Sequence, residues 1–219
     1  MKQVKIRNAI SLVMNAAVFL MVLFCMIWFL SPHGAGGVGN MDQGGARVFK
    51  YFTVDSNLLV AAACLLLLPF NVRAIRRGED AIPAWALTLK MIGIVAVTLT
   101  FAVVVFYFVP LVGPSMVLTG ANLPLHLICP LFAIISFCFF ERGRRFTKAE
   151  MLLGVAPAVL YGVVYLTQVI FLKNWEDFYA FNIGGLWYVT IIAIPAINYL
   201  FALGIRALHN RFEQKPARV

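Results

Sequence analysis

The chain has 219 residues, 62% of them hydrophobic and 12% charged, with a mean hydropathy of +0.89 and a formal net charge of +9. A soluble domain carries about 25% charged residues, so this composition excludes an ordinary water-soluble fold and points to a membrane protein. The positive charge does not indicate nucleic-acid binding, because no basic patch is interleaved with stacking aromatics.

Six apolar stretches approach the ~20 residues that cross a bilayer as helix. In chain order they are Ile10–Leu30, Tyr51–Phe70, Trp85–Val109, Leu123–Phe140, Met151–Leu172 and Leu186–Ile205. A membrane β-barrel needs alternating apolar and polar residues, whereas Ala61 to Phe70 is apolar on every face. The expected fold is all-α: a polytopic membrane protein with six transmembrane helices in one bundle, a single domain over residues 1–219.

Lys2, Lys5 and Arg7 precede the first stretch as they would a secretory signal. The apolar run is about twice the length of a signal core, and no small-x-small site closes it, so it reads as an uncleaved first helix. Basic residues gather at the amino terminus, at Arg73, Arg76 and Arg77, at Arg142, Arg144, Arg145 and Lys148, and at Arg206, Arg211, Lys215 and Arg218. The alternating segments hold only Arg47, Lys50 and Lys173. The positive-inside rule then places both termini in the cytoplasm, in an integral protein of the cell membrane. Lys90, near the cytoplasmic end of its span, is expected to snorkel to the interface.

The longest loop, Ser31 to Lys50, is glycine-rich, a composition that packs poorly; it reads as an idle linker or as a mobile cover. The segment from Lys173 to Gly185 carries Trp175, Phe178, Tyr179 and Phe181, an expected interfacial aromatic belt. The four cysteines, Cys25, Cys64, Cys129 and Cys138, all fall in spans without metal-ligand spacing and read as small packing residues.

Polar residues within spans are where function shows. Here they crowd the outer ends: Thr53, Asp55, Asn57, Tyr107, Asn122, His126, Tyr165, Thr167, Gln168 and Asn182. Thr88, Lys90, Asn198 and Tyr199 are the main ones on the cytoplasmic side, so the polarity describes a cup open outward rather than an ion path. Thr53 and His126 open two spans running in the same direction, about one helical turn below the same interface. A neutral imidazole near pH 7 can take a proton from a hydroxyl, so the pair is the candidate catalytic site. Thr53 and Asn57 share a helix face at i, i+4. Asn57, Asn122, Tyr179 and Asn182 are the expected substrate-binding residues, with Asn57 reading equally as a tie between two helices; Asp55, Glu176 and Asp177 are either orienters of the imidazole or plain interface charges. Against this stands a plain reading in which Thr53 bonds its own backbone and His126 bridges helices. No metal is expected, since no second histidine or acid pair stands at ligand spacing, and no cofactor is implied.

Lys50-Tyr51-Phe52-Thr53, with Asn57 below it, resembles the Lys-Tyr-Leu-Thr segment of the androgen-induced-gene-1 and androgen-dependent-TFPI-regulating-protein family. Asn122-x-x-x-His126, followed by Pro130, is similar to that family's histidine segment. The resemblance implies a multi-pass membrane enzyme that hydrolyses fatty acid esters of hydroxy fatty acids, with Thr53 as nucleophile and His126 as base. Membrane lipids and a lipid ester substrate are then the implied partners. Phe52 departs from the family's leucine. Leu123-Pro-Leu-His-Leu is also similar to a Leu-Pro-Leu-His-Leu-Cys motif of a second multi-pass family that includes acyltransferases, but Ile128 separates the motif from Cys129. Three readings follow: a threonine-dependent lipid ester hydrolase, a non-enzymatic lipid-binding or partner-stabilising protein, and a thiol-dependent lipid acyltransferase.

Overall fold

A computed structural model of the chain describes residues 1–31 and 45–213. The glycines from Gly34 to Gly44, His33, Lys215 and Arg218 therefore lie outside the described residues. Within them the chain is all-helical, with helices α1 Lys2–Leu30, α2 Phe52–Arg77, α3 Ala84–Val112, α4 Pro124–Phe140, α5 Met151–Phe171 and α6 Trp187–Phe212. Five of them, all but α4, are long and apolar enough to cross a membrane. At 1.5 Å per residue α4 reaches only about 26 Å. Its start is delayed because the chain from Gly113 to Leu123 folds into a short helix, Pro114–Val117, and turns.

The helices alternate in direction. Gly78 approaches Met1 and Lys5, Gly143 approaches Ile82, and Gly143 N–H donates to Glu213. Both ends of the described chain thus share one end of the bundle with the α2–α3 and α4–α5 connections. Gly78 stops α2 in the left-handed conformation (φ 74°), and its N–H donates to Ala74 O. The outward faces carry large apolar side chains such as Phe24 (64% exposed), Leu160 (68%) and Ile192 (71%). Such continuous apolar cladding suits lipid rather than water, so the architecture is compatible with an integral multi-pass membrane protein.

α3 is the central helix, packed against α2, α4, α5 and α6. Glycine permits its two closest approaches: a Cβ at Gly93 would lie 2.9 Å from Val60 Cα on α2, and one at Gly154 on α5 would lie 2.7 Å from Val95 Cγ2. Gly93→Ala should cost about 1–3 kcal/mol, the range for overpacking a filled interior, because the opposing atom is backbone. Thermal unfolding in micelles checks this against Gly204→Ala, where an added Cβ meets nothing within 4 Å.

Lys90 does not snorkel. It is fully buried, with Nζ 2.5 Å from Asn15 Oδ1, 2.7 Å from Cys64 Sγ and 3.7 Å from Glu141 Oε1. Asn15 Nδ2 and the Ser136 hydroxyl both donate to Glu141 Oε1, at 3.0 and 2.7 Å. Asn15 also reaches Ser11, whose hydroxyl is 2.7 Å from the Asn71 side-chain amide. Partners on α1, on α2 and at the residue that follows α4 reward the inward rotamer more than the interface would, because a buried ion needs a counter-charge and hydrogen bonds. The half of the bundle expected to be nearly apolar thus holds a connected polar network. His209, in the last turn of α6, is also fully buried, its ring nitrogens 3.0 Å from Phe137 O and 3.1 Å from Arg144 O.

Candidate functional site

At the opposite end of the bundle α2, α3, α4, α5 and α6 enclose a cavity of about 180 Å³, lined mainly by apolar side chains. Thr53, Asn122 and His126 all line it, as do Tyr161, Tyr165 and Tyr179. The two candidate catalytic residues therefore face one space, although among the described residues no hydrogen bond joins them.

His126 stands in a π-helical turn, Pro124–Ile128. Pro130 has no N–H to offer the His126 carbonyl four residues back, which breaks the α ladder and favours the wider register. Cys129 N–H donates instead to Pro124 O, an i to i+5 bond. His126 Nδ1 lies 2.6 Å from Val117 O. A carbonyl only accepts, so Nδ1 carries the proton and Nε2 is left as the acceptor nitrogen, the tautomer that a general base requires. The orienter is thus a backbone carbonyl and none of the acids named from sequence. Asp177 in particular is engaged elsewhere: it accepts from the Tyr165 hydroxyl at 2.8 Å and from the N–H groups of Phe181 and Asn182 at 2.9 and 2.8 Å.

Thr53 lies in the first turn of α2, whose amides are not capped by the side chain of Tyr51. The orphan amides of that turn are met from another segment, since Phe52 N–H donates to the Tyr179 hydroxyl at 2.9 Å. The same phenol interacts with the Thr53 amide and hydroxyl and with the Tyr161 hydroxyl. Burial pushes the Tyr179 phenol up from its ordinary value, so it stays protonated at neutral pH and retains a proton to donate. Tyr161 in turn donates to Lys50 O at 2.6 Å.

Asn57 is fully buried and does not line the cavity. Its amide nitrogen donates to Thr53 O at 2.7 Å and to Leu125 O at 2.9 Å. Both amide protons are thereby used, leaving none for a substrate. What Asn57 does is join the backbone of the threonine turn to the residue preceding the histidine. Ser56 adds a second tie, 3.2 Å from Thr53 O and 2.9 Å from Thr100 Oγ1 on α3. Asn122 does line the cavity, 4% exposed, and its side chain has no hydrogen-bond partner among the described residues. Asn182 does not line it; its N–H is bound to Asp177.

The aromatic segment after α5 forms part of the cavity wall. Phe178, Tyr179 and Phe181 turn inward and line the cavity. Tyr179 packs on Tyr165 at 5.3 Å, on Phe181 at 5.1 Å and on Phe108 at 6.3 Å between centroids. Asp177 gathers the turn that makes this possible. Sequence reasoning missed Tyr161, whose i, i+4 spacing to Tyr165 was the available signal, and the Ser56–Thr100 pair. Among the described residues no group of three His, Cys, Asp or Glu side chains is placed to hold a metal ion. Cys129 is fully buried and is not among the cavity's lining residues. No known family model, curated protein or solved structure matches the chain.

Proposed function

We propose that the chain is an intramembrane hydrolase of lipid esters, of the class of fatty acid esters of hydroxy fatty acids, with Thr53 as nucleophile and His126 as base. The observation that carries this reading is the pair's convergence on one apolar cavity, with the backbones bearing them tied together by Asn57. The Thr53 hydroxyl turns from Tyr179 toward His126 as the ester enters; hydrogen bonds in a ligand-free site are often looser than in the reacting complex. Nε2 takes the Thr53 proton while Oγ1 attacks the acyl carbonyl. The imidazolium returns the proton to the departing alkoxide, giving a free hydroxy lipid and an acyl-threonine, which a His126-activated water then hydrolyses. Asn122 is the free amide that can donate to the oxyanion, a contact typically worth ~3 kcal/mol.

The proposal extends to topology: six membrane-crossing helices in the cell membrane, α4 included, with both termini cytoplasmic and the cavity on the outer-leaflet side. With the four native cysteines replaced, cysteine at exposed Ser115 should react with an impermeant thiol reagent from outside intact cells, and cysteine at exposed Glu79 should not. Reversed labelling would move the cavity to the inner leaflet.

An alkyl fluorophosphonate tests the chemistry directly. Thr53 should carry the adduct in peptide maps of the treated membrane protein, and His126→Ala should remove it. A second reading, a lipid-binding protein without catalysis, is favoured by the Thr53 contact to Tyr179 and the absence of a direct Thr53–His126 bond. No adduct at Thr53, together with retention of a long-chain ester in the cavity, would select it.

A further inference from the structure

Cys64 and Lys90 have no part in the proposed hydrolysis, yet they meet in close contact within the bundle. Both are fully buried, Cys64 on α2 and Lys90 on α3. Sulfur is larger than oxygen, so an N–H···S contact rests farther apart than N–H···O, which centres on about 2.9 Å. Nζ and Sγ here are 2.7 Å apart, closer than that oxygen distance. A direct nitrogen–sulfur bond would be shorter still, below the ~2.05 Å of a disulfide. The interval is the one that a single bridging oxygen spans.

We propose that Cys64 and Lys90 are a modification site, joined on oxidation by dioxygen into a covalent N–O–S crosslink between α2 and α3. The amine and thiol together hold three hydrogens on the two reacting atoms, as does the ammonium–thiolate pair. Two N–H or S–H bonds break, one N–O and one O–S bond form, and one N–H remains. Nitrogen and sulfur each lose two electrons, dioxygen accepts all four, and its second oxygen leaves as water with two hydrogens. In the bridge the sulfur stands at the sulfenic level, bonded to carbon and oxygen, which is the first and reversible rung of thiol oxidation. The surroundings favour it. Dioxygen is apolar and enters a lipid-embedded core, while Asn15 Oδ1 holds the amine in place at 2.5 Å. Cys64 is a free cysteine, so no disulfide competes for it. The bridge would fasten α2 two turns along the helix from Asn57.

The test uses the full chain in lipid nanodiscs, one preparation exposed to air and one kept in dithiothreitol from lysis onward. Each is denatured, alkylated with iodoacetamide and examined by intact mass and peptide mapping. The air-exposed protein should gain the mass of one oxygen less two hydrogens. Cys64 should escape alkylation while Cys25, Cys129 and Cys138 react, and trypsin should fail to cut at Lys90. Dithiothreitol added after denaturation should reverse all of this, and Cys64→Ser should abolish it. Full alkylation of Cys64 in the air-exposed chain, a loss of two hydrogens without added oxygen, or sulfinic acid at Cys64 beside an unmodified Lys90 would each overturn the proposal. The wild-type readout does not depend on any variant folding.

Discussion

Lys90→Met is expected to destabilise the bundle by on the order of 3–5 kcal/mol, the cost of breaking a buried ion pair from one side. The figure applies under reducing conditions, where the ion pair and not a crosslink is being read. The methionine fills much of the same volume, so the loss is electrostatic and not a cavity effect. It strands the Glu141 carboxylate, fully buried, with Oε2 already lacking a partner. It also leaves Asn15 Oδ1 without its donor. Adding Glu141→Gln should recover a large part of the loss, because an amide left beside Asn15 and Ser136 costs far less than an unpaired charge. The coupling between the two substitutions, read from a double-mutant cycle by chemical denaturation in mixed micelles, should be strongly favourable. Additive effects would mean that Lys90 and Glu141 do not act as a pair. Lys90→Arg is a poor control, since the guanidinium fork does not fit a point-charge site.

The apolar segments were legible because helix length against bilayer thickness is a local property of the sequence, and five of the six segments are long enough to cross. What composition could not supply was direction. In lipid the outward face of a helix is as apolar as the packed one, so hydrophobic periodicity does not say which way a lone polar residue points. Lys90 illustrates this: its partners come from residue 15, residue 64 and residue 141, and nothing within its own span announces them. A clue existed on α1, where Asn8, Ser11 and Asn15 recur at i, i+3, i+7, one face of a helix. That stripe proves to be the face buried against Asn71 and Glu141.

At the site, position along the helices was enough to bring Thr53 and His126 to one cavity, because each stands near the start of its helix and both helices start at the same end of the bundle. Roles that depend on long-range geometry were not accessible in the same way. Asn57 reads from sequence either as an oxyanion donor or as a tie between helices, and the approach of Leu125 O decides for the tie. Tyr179 reads as an interface aromatic, but the turn organised by Asp177 delivers its hydroxyl to the first amide of α2. For His126 the sequence offers acids as candidate orienters, but Pro130 opens a π turn and Val117 O accepts the hydrogen bond from its Nδ1–H. In these cases a proline, a carboxylate-gathered turn or a distant carbonyl decides the outcome, and none of them leaves a periodic trace.

Thr53→Ala and His126→Ala should each lower hydrolysis of a long-chain ester of a hydroxy fatty acid by on the order of a thousandfold or more, as removing one member of a nucleophile–base pair does. Thermal stability should stay near wild type, because the Thr53 hydroxyl ties no helix to another except through Tyr179, which keeps its bond to Phe52 N–H. Thr53→Ser retains the hydroxyl and should keep part of the activity. Asn122→Ala should cost about a hundredfold in kcat with little change in KM, the signature of an oxyanion donor. The Thr53→Ala, His126→Ala double variant should be no worse than either single one, since residues acting as one unit are strongly non-additive. Cys129→Ala should be silent, because the thiol is buried away from the cavity. Each is measured as release of free hydroxy fatty acid from protein in mixed micelles. Undiminished turnover in Thr53→Ala removes the nucleophile assignment, and a dead Cys129→Ala enzyme would redirect the chemistry to a thiol. The decisive physical point is Nε2: with Nδ1 held by Val117 O, it is the one ring nitrogen of His126 free to accept a proton, and the cavity that His126 lines is where Thr53 waits.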